Sequence, residues 1–275
     1  MREWIFHFCR NALRLPMGIF LRKVHFDGLE NFTKDVPVLL ACNHPNSFLD
    51  GVIFEHFSNR RVYTLARGDA FNKPVVNYIF RGMRLLPIFR ATDASAEKAR
   101  EGNERTKDEI FEHFKKNHIV LIFSEGIAYP EKAVRKLKKG TGQIAADMAK
   151  RSNFEMDLHV VPTSLNYSKF GTLMQTVHVH YGTPIRVKEY VEMIKEDEKG
   201  FVEMVTDTVQ DELEEFVMIT KGDHTEEKEL VHEMVINENY QPFKFKIKDQ
   251  WGFSLKKANM MSESLAKKVK KYKAN

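Results

Sequence analysis

The sequence predicts an α/β fold: a mixed central sheet flanked by helices, opened by an N-terminal amphipathic helix and closed by a helical C-terminal extension. Three observations predict it. Short apolar runs recur between residues 36 and 181, clearest in VPVLLAC at 36–42 and IVLIF at 119–123. Helical patterns separate these runs. Beyond residue 188 the apolar runs stop and a charged helical pattern replaces them.

The first element spans Met1 to Leu21. Trp4, Ile5, Phe8, Ala12, Leu15 and Ile19 recur at helical steps, with Arg10 and Arg14 off that face. Pro16 is expected to kink this helix or split it. Two readings stand: an interfacial helix with aromatics in lipid and arginines at anionic headgroups, or a helix packed on its own domain. Strands are expected at Val36–Cys42, Val62–Ala66, Leu85–Phe89, Ile119–Phe123, Leu158–Leu165 and Val177–Tyr181. Helices are expected at Asp50–Phe57, Pro74–Arg81, Ala96–Lys116 and Gly140–Lys150. Then come one long acidic helix over Val191–Thr220, a second over Thr225–Ile236, an aromatic-basic stretch from Pro242 and a lysine-rich terminal helix. The organisation is therefore 1–21 as a surface helix, 22–187 as the α/β domain and 188–275 as the extension.

Charge sharpens this division. The 275 residues carry 43 Lys+Arg against 38 Asp+Glu, a formal net charge of +5. That modest sum hides blocks: +4 over residues 1–25, +6 over 26–188, −13 over 189–241 and +8 over 242–275. Alternating blocks argue against a uniformly basic nucleic-acid binder. The two cysteines, Cys9 and Cys42, exclude a disulfide scaffold and a Cys-rich zinc site. No run reaches the roughly 18–20 apolar residues of a spanning helix, and no signal-peptide pattern is visible.

Chemistry concentrates in three places. Asn43-His44-Pro45-Asn46-Ser47-Phe48-Leu49-Asp50 follows a buried strand and enters a helix. His44 then leaves the carboxyl end of the strand, where open α/β sheets hold ligands. A carboxylate behind an imidazole is the minimum kit of a general base. Read alone, the pair is also compatible with a structural role, with Asn46 or Ser47 capping the helix. The second place is Phe123-Ser124-Glu125-Gly126, followed by Lys132, Arg135, Lys136, Lys138 and Lys139 ahead of a helix opened by Gly140-Thr141-Gly142. Lysines beside a helix N-terminus suit an anion such as phosphate; a solvated basic loop reads the same way. The third is Arg90, closing the run RLLPIFR, which suits a phosphate or a pairing with Asp93.

Four blocks in order, NHPNSFLD, RLLPIFR, FSEG and VVPTSLNY, together with the later YGTPI, resemble the PlsC-type glycerolipid acyltransferase family over roughly residues 24–187. The resemblance implies His44 and Asp50 as a catalytic dyad, and Arg90, Glu125 and Gly126 in the acceptor site. It implies Pro162 as a structural element of the acyl site. Three departures stand out. Five residues separate His44 from Asp50 where the family usually has four, which reads as a one-residue bulge and is similar to a subset of bacterial members. Ser124 stands where the family has Pro, and Ala128 where it has Arg. Arg135, Lys136 or Lys138 must then hold any acceptor phosphate, or the acceptor differs.

The expected reaction is transfer of an acyl group from acyl-CoA or acyl carrier protein to the free hydroxyl of 1-acyl-sn-glycerol-3-phosphate. Glycerol-3-phosphate or another lysolipid is the alternative acceptor. A non-catalytic lipid- or nucleic-acid-binding protein is the reading from another class. No metal and no cofactor beyond the acyl thioester is implied. The expected partners are a membrane lipid surface and the acyl donor, without nucleic acid. The expected location is peripheral, at the cytoplasmic face of the inner membrane. No Gly-x-Ser-x-Gly nucleophile elbow is present. Cys42, two residues before His44, reads as a buried structural thiol or as the nucleophile of a Cys–His dyad. His178 and His180 share a strand face and could ligate a metal, but with no third or fourth ligand nearby they read as strand-surface histidines.

Overall fold

The computed structural model describes residues 3–32, 35–47, 49–89, 96–220 and 228. Arg90 and Asp93, and the segments read as Thr225–Ile236, Pro242–Lys257 and the lysine-rich terminal helix, lie outside the described residues.

The chain enters through α1 (Glu3–Phe20) and runs directly into β1 (Leu21–Asp27). Next come β2 (Val38–Cys42), α2 (Leu49–Phe57), β3 (Val62–Arg67), α3 (Pro74–Gly82) and β4 (Leu85–Ile88). They are followed by α4 (Ala96–Phe114), β5 (Ile119–Phe123), α5 (Gly140–Arg151), β6 (His159–Tyr167), β7 (Gln175–Tyr181) and β8 (Ile185–Arg186). The described chain closes with α6 (Val191–Glu196) and α7 (Glu198–Phe216). The strand order is β1-β7-β6-β2-β5-β3-β4, with β8 on β6. Strands β6, β2, β5, β3 and β4 are mutually parallel, and β7 with β1 runs antiparallel to them. The sheet is mixed, as the sequence predicts, and most of its strand pairs are parallel.

The central strands read as continuous apolar runs because both their faces are covered. One face, with Leu39, Val120 and Val160, packs under α4, α5 and α7 through Phe114, Ile144, Phe201, Val205 and Val209. The other, with Leu40, Leu121 and Val161, packs under α1 and α2 through Met17, Ile53 and Phe54. The core is therefore continuous across residue 188, where the charge pattern changes.

Three elements differ from expectation. β1 is a strand the apolar pattern does not show. Its sequence LRKVHFD breaks alternation with charge because it is an edge strand, paired with β7 alone. The long acidic helix breaks at Asp197, whose side chain caps α7 by accepting the Gly200 N–H at 3.0 Å. α1 stays one helix with Pro16 inside it, not two pieces.

α1 packs on its own domain along one side and leaves apolar side chains exposed along another. Phe6, Cys9, Leu13 and Met17 form a stripe turned toward the domain, with Ile5 and Phe6 buried. Trp4, Phe8, Leu15 and Ile19 form a second stripe, 62%, 67%, 76% and 48% exposed. At 100° per residue the two stripes lie on opposite sides of the helix. No helix among the described residues is long and apolar enough to cross a membrane.

Candidate active site

The strands β2 and β5 are neighbours with Cys42 opposite Phe123, so His44 and Glu125 emerge side by side at their carboxyl ends. The helix after β2 covers one face of the sheet and the helix after β5 the other. A crevice at this divergence is where a doubly covered sheet presents ligands. The backbone around it is tied down on several sides. Asn43 is buried and behaves like an extra rung of the ladder: its amide donates to the Leu165 carbonyl at 3.0 Å and accepts the Leu165 N–H at 2.7 Å. The His44 carbonyl accepts the Tyr129 N–H at 3.0 Å. The His44 ring lies on Phe123 at 3.7 Å between centroids.

His44 Nδ1 sits 2.8 Å from Asp50 Oδ2. Asp50 stands in the first turn of α2 and is fully buried. Its Oδ2 also accepts the Asn46 N–H at 2.8 Å, while its own N–H donates to the Asn46 carbonyl at 3.1 Å. This reciprocal pair ties the first turn of α2 back to Asn46 and returns the carboxylate to the imidazole. Oδ1 accepts the Tyr167 hydroxyl at 2.6 Å. Burial pushes the Asp50 carboxyl up, and the His44, Tyr167 and Asn46 donors pull it back. Burial and the nearby Asp50 charge hold the Tyr167 phenol well above its ordinary range, so it stays a donor.

The second block closes the other wall. Phe123 to Gly126 is a tight turn, with the Gly126 N–H donating to the Phe123 carbonyl at 3.0 Å. Gly126 takes φ 76°, a left-handed conformation that glycine adopts without strain. Glu125 is buried and accepts the Arg135 N–H at 3.3 Å. Burial raises its carboxyl, against backbone donors from Arg135 and His44. Ser124 explains why Pro is dispensable here. Its N–H donates to the Cys42 carbonyl at 2.9 Å, a bond Pro cannot make. Its hydroxyl meets Thr141 Oγ1 in the first turn of α5, also at 2.9 Å.

The basic residues separate into roles. Lys132 is buried and donates to the Ser168 carbonyl at 2.8 Å, tying the loop to β6. Arg135 is half-buried, stacks over Tyr129 at 3.4 Å and contacts both Glu131 oxygens at 3.1 Å. Lys136 and Lys138 are exposed. The Lys138 stem passes beside Gly126, and its N–H donates to the Ser124 carbonyl at 2.8 Å. Arg90 lies outside the described residues. Pro162 is buried in β6 opposite Ala41. Its carbonyl accepts the Gly182 N–H at 2.8 Å, between the stretches of β6 paired by β8 and by β7. Its missing N–H faces that same gap in the ladder.

Two side readings close here. The Cys42 thiol is fully buried against the apolar face shared with α2, and burial drives it well above its ordinary value, which suits a structural thiol. His178 and His180 are not surface histidines; both are buried. His180 Nδ1 lies 2.9 Å from Asp27 Oδ2, and its ring stacks on Phe216 of α7 at 3.8 Å. Among the described residues no group of three or more His, Cys, Asp or Glu could hold a metal ion. The sequence reading missed Tyr167 and Asn43 as site residues. Tyr167 closes the block VVPTSLNY, and its parity with Val161 and Leu165 places it on the α2 face once the strand is extended two residues.

Residues 23–166 match the family model described as Acyltransferase. No curated protein sequence matches the chain. Among solved structures, the chain is similar to the 1-acyl-sn-glycerophosphate (LPA) acyltransferase PlsC from Thermotoga maritima. That similarity has 20% identity and a TM-score of 0.45, covering 76% of this chain and 77% of that one. The family match takes in more than half of the chain, from β1 into β6, and includes both strand ends that carry His44 and Glu125; the chain belongs to the acyltransferase family.

Proposed function

We propose that the protein transfers an acyl group from an acyl thioester to the hydroxyl of a lysophospholipid, with 1-acyl-sn-glycerol-3-phosphate as the leading acceptor. The observation that carries this reading is the 2.8 Å contact between His44 Nδ1 and a fully buried Asp50. With Nδ1 engaged, Nε2 is the nitrogen left to take a proton. His44 removes the acceptor hydroxyl proton as the oxygen attacks the thioester carbonyl carbon. The C–O bond forms, the C–S bond of the tetrahedral intermediate breaks, and the imidazolium returns the proton to the leaving thiolate. Asp50 orients the ring and stabilises its charge during the transfer. No acyl-enzyme is required.

Two further observations support a lipid acceptor at a membrane surface. The exposed stripe of α1 presents Trp4, Phe8, Leu15 and Ile19, and exposed Arg14 lies on the same helix, while Arg10 is turned toward the domain, where it reaches the His56 carbonyl at 3.4 Å. Exposed Ile127 and Tyr129 sit on the loop that hydrogen-bonds the His44 carbonyl. Lys136 and Lys138 supply exposed positive charge for an acceptor phosphate. A different acceptor is favoured by one feature: Ala128 stands where the resembled motif has Arg, and Arg135 is already engaged by Glu131.

The test is thiol release and lipid product from purified protein, acyl-CoA or acyl carrier protein, and a panel of 1-acyl-sn-glycerol-3-phosphate, glycerol-3-phosphate and a neutral lysolipid. His44→Ala is expected to lose about a thousandfold with its fold intact, within the roughly 10²–10⁴ that general base catalysis contributes. Near-normal turnover in that variant refutes the dyad. Vesicle or RNA binding without acyl transfer by the unaltered protein returns the non-catalytic reading.

A further inference from the structure

We propose that Tyr167 is a positioning residue of this reaction, holding Asp50 through the hydroxyl–carboxylate hydrogen bond so that His44 stays available as the base. The inference rests on the functional reading above and extends it to a residue 117 positions away from Asp50.

The geometry separates the two carboxylate oxygens by task. Oδ2 takes the His44 ring and the Asn46 N–H, both at 2.8 Å. Oδ1 takes the Tyr167 hydroxyl at 2.6 Å, a length typical of a charge-assisted O–H···O bond. Tyr167 is 1% exposed at the carboxyl end of β6, and its ring packs near Phe170. Asp50 is fully buried, so a carboxylate oxygen deprived of its donor would have no bulk solvent to replace it.

The chemistry follows. A buried carboxylate with fewer donors is a stronger proton acceptor. It draws the shared proton of the His44 pair toward itself and holds the protonated state of the pair to higher pH. The imidazole is then occupied when it must accept a proton. Tyr167 tempers that basicity, and it also fixes the rotation of the carboxylate that aims Oδ2 at Nδ1. Asp50 is tied to Asn46 at the start of α2, and Tyr167 connects that helix start to the sheet. The other titratable groups around the pair are the buried Cys42 thiol and Glu125.

The experiment compares the full-length protein with Tyr167→Phe, which removes one oxygen and keeps the ring. The expected result is a kcat lower by about tenfold to a hundredfold, the range of a hydrogen bond to a charged group. KM should stay within about twofold, because Tyr167 acts through Asp50 and not on substrate. The acid limb of kcat should move up, and the low-field proton resonance of the His44 Nδ1–H should move further downfield. In an Asp50→Asn background, Tyr167→Phe should cost little more. A folded Y167F enzyme with unchanged kcat, acid limb and resonance overturns the proposal, as does full additivity with D50N. If Y167F fails to fold, difluorotyrosine at position 167 is a near-isosteric and stronger donor; it should move the acid limb down, and an unmoved limb overturns the proposal. Failure of the functional reading shows separately, as absent acyl transfer by the unaltered protein. The resonance then decides the Tyr167–Asp50 link, and an unchanged resonance in Y167F overturns it.

Discussion

The His44 imidazole lies flat on the ring of Phe123, 3.7 Å between centroids and 10° between planes. The stack joins the ends of two neighbouring strands, β2 and β5, and confines the imidazole from the side that Asp50 does not reach. Phe123→Leu keeps an apolar side chain and removes the flat face. An aromatic contact is worth about 0.5–1.5 kcal/mol beyond burial. Acyl-transfer kinetics should therefore show kcat reduced by about three- to tenfold, with KM little changed. An unchanged kcat would mean that Asp50 alone sets the ring.

The two stripes of α1 predict opposite responses to substitution. Trp4→Ser, Phe8→Ser and Leu15→Ser together remove exposed apolar surface only. Flotation with anionic vesicles should show binding reduced by about tenfold or more, while Tm stays within about 2 °C. Phe6→Ala or Met17→Ala, on the buried stripe, should instead cost about 2–5 kcal/mol of stability. Deleting residues 1–21 should weaken binding to anionic vesicles more than to neutral ones, given Arg10 and Arg14; equal loss on both would assign the binding to apolar insertion.

Gly142 of α5 sets the distance to α7. A Cβ at this position would stand 2.7 Å from the Val202 carbonyl oxygen and 2.9 Å from its Cα. Both are backbone atoms of a helix and cannot rotate away. Alanine normally gains about 1 kcal/mol over glycine inside a helix. Forced separation of packed helices costs about 1–3 kcal/mol, so Gly142→Ala should be net destabilising. Thermal melts should show Tm lower by a few degrees, at about 2–4 °C per kcal/mol for a domain of this size. A rise in Tm would show that α7 yields.

Glu55 gives the stability curve a slope. It sits half-buried in a cleft between α1 and α2 with Phe6, Cys9, Arg10, Leu13 and His56. Burial raises its carboxyl from 4.5 to about 8, with Arg84 and Thr64 acting the other way. The unfolded chain releases this proton first as pH rises, and the fold retains it. The stability contribution is therefore complete below about 4.5 and is lost progressively toward about 8. Glu55→Gln removes that slope. Its Tm should exceed that of the unaltered protein at pH 8.5, and the difference should vanish near pH 4.5. Parallel curves would mean that Glu55 titrates normally.

The legibility of the site follows chain distance. His44 and Asp50 lie six residues apart across a strand end and a helix start, so local pattern alone brings them together. Glu125 is legible as the residue leaving a second buried strand, although the neighbouring of β2 and β5 is not. Tyr167 stands in the block VVPTSLNY, but its contact with Asp50 is not legible there, because it depends on how β6 registers against β2, which side-chain spacing does not encode. His178 and His180 were misread for the same class of reason. The alternation TVHVHY in β7 looks half-solvated, but Phe216 at the end of α7 stacks on His180.

Sequence by itself determined the α/β alternation, the strand-end placement of His44 and Glu125, the acidic character of the helices after residue 188, and an apolar N-terminal helix with arginines on its flank. These are local properties, set by side-chain periodicity and by which residues tolerate a turn. Only the tertiary structure decided which apolar stripe of α1 is buried and which is left exposed, that α7 shares the core of the sheet, and that Asp50 is held from both ends. Those facts depend on strand order, register and helix approach, through which atoms far apart in the chain exclude water from one another and leave each buried polar group to find its partner.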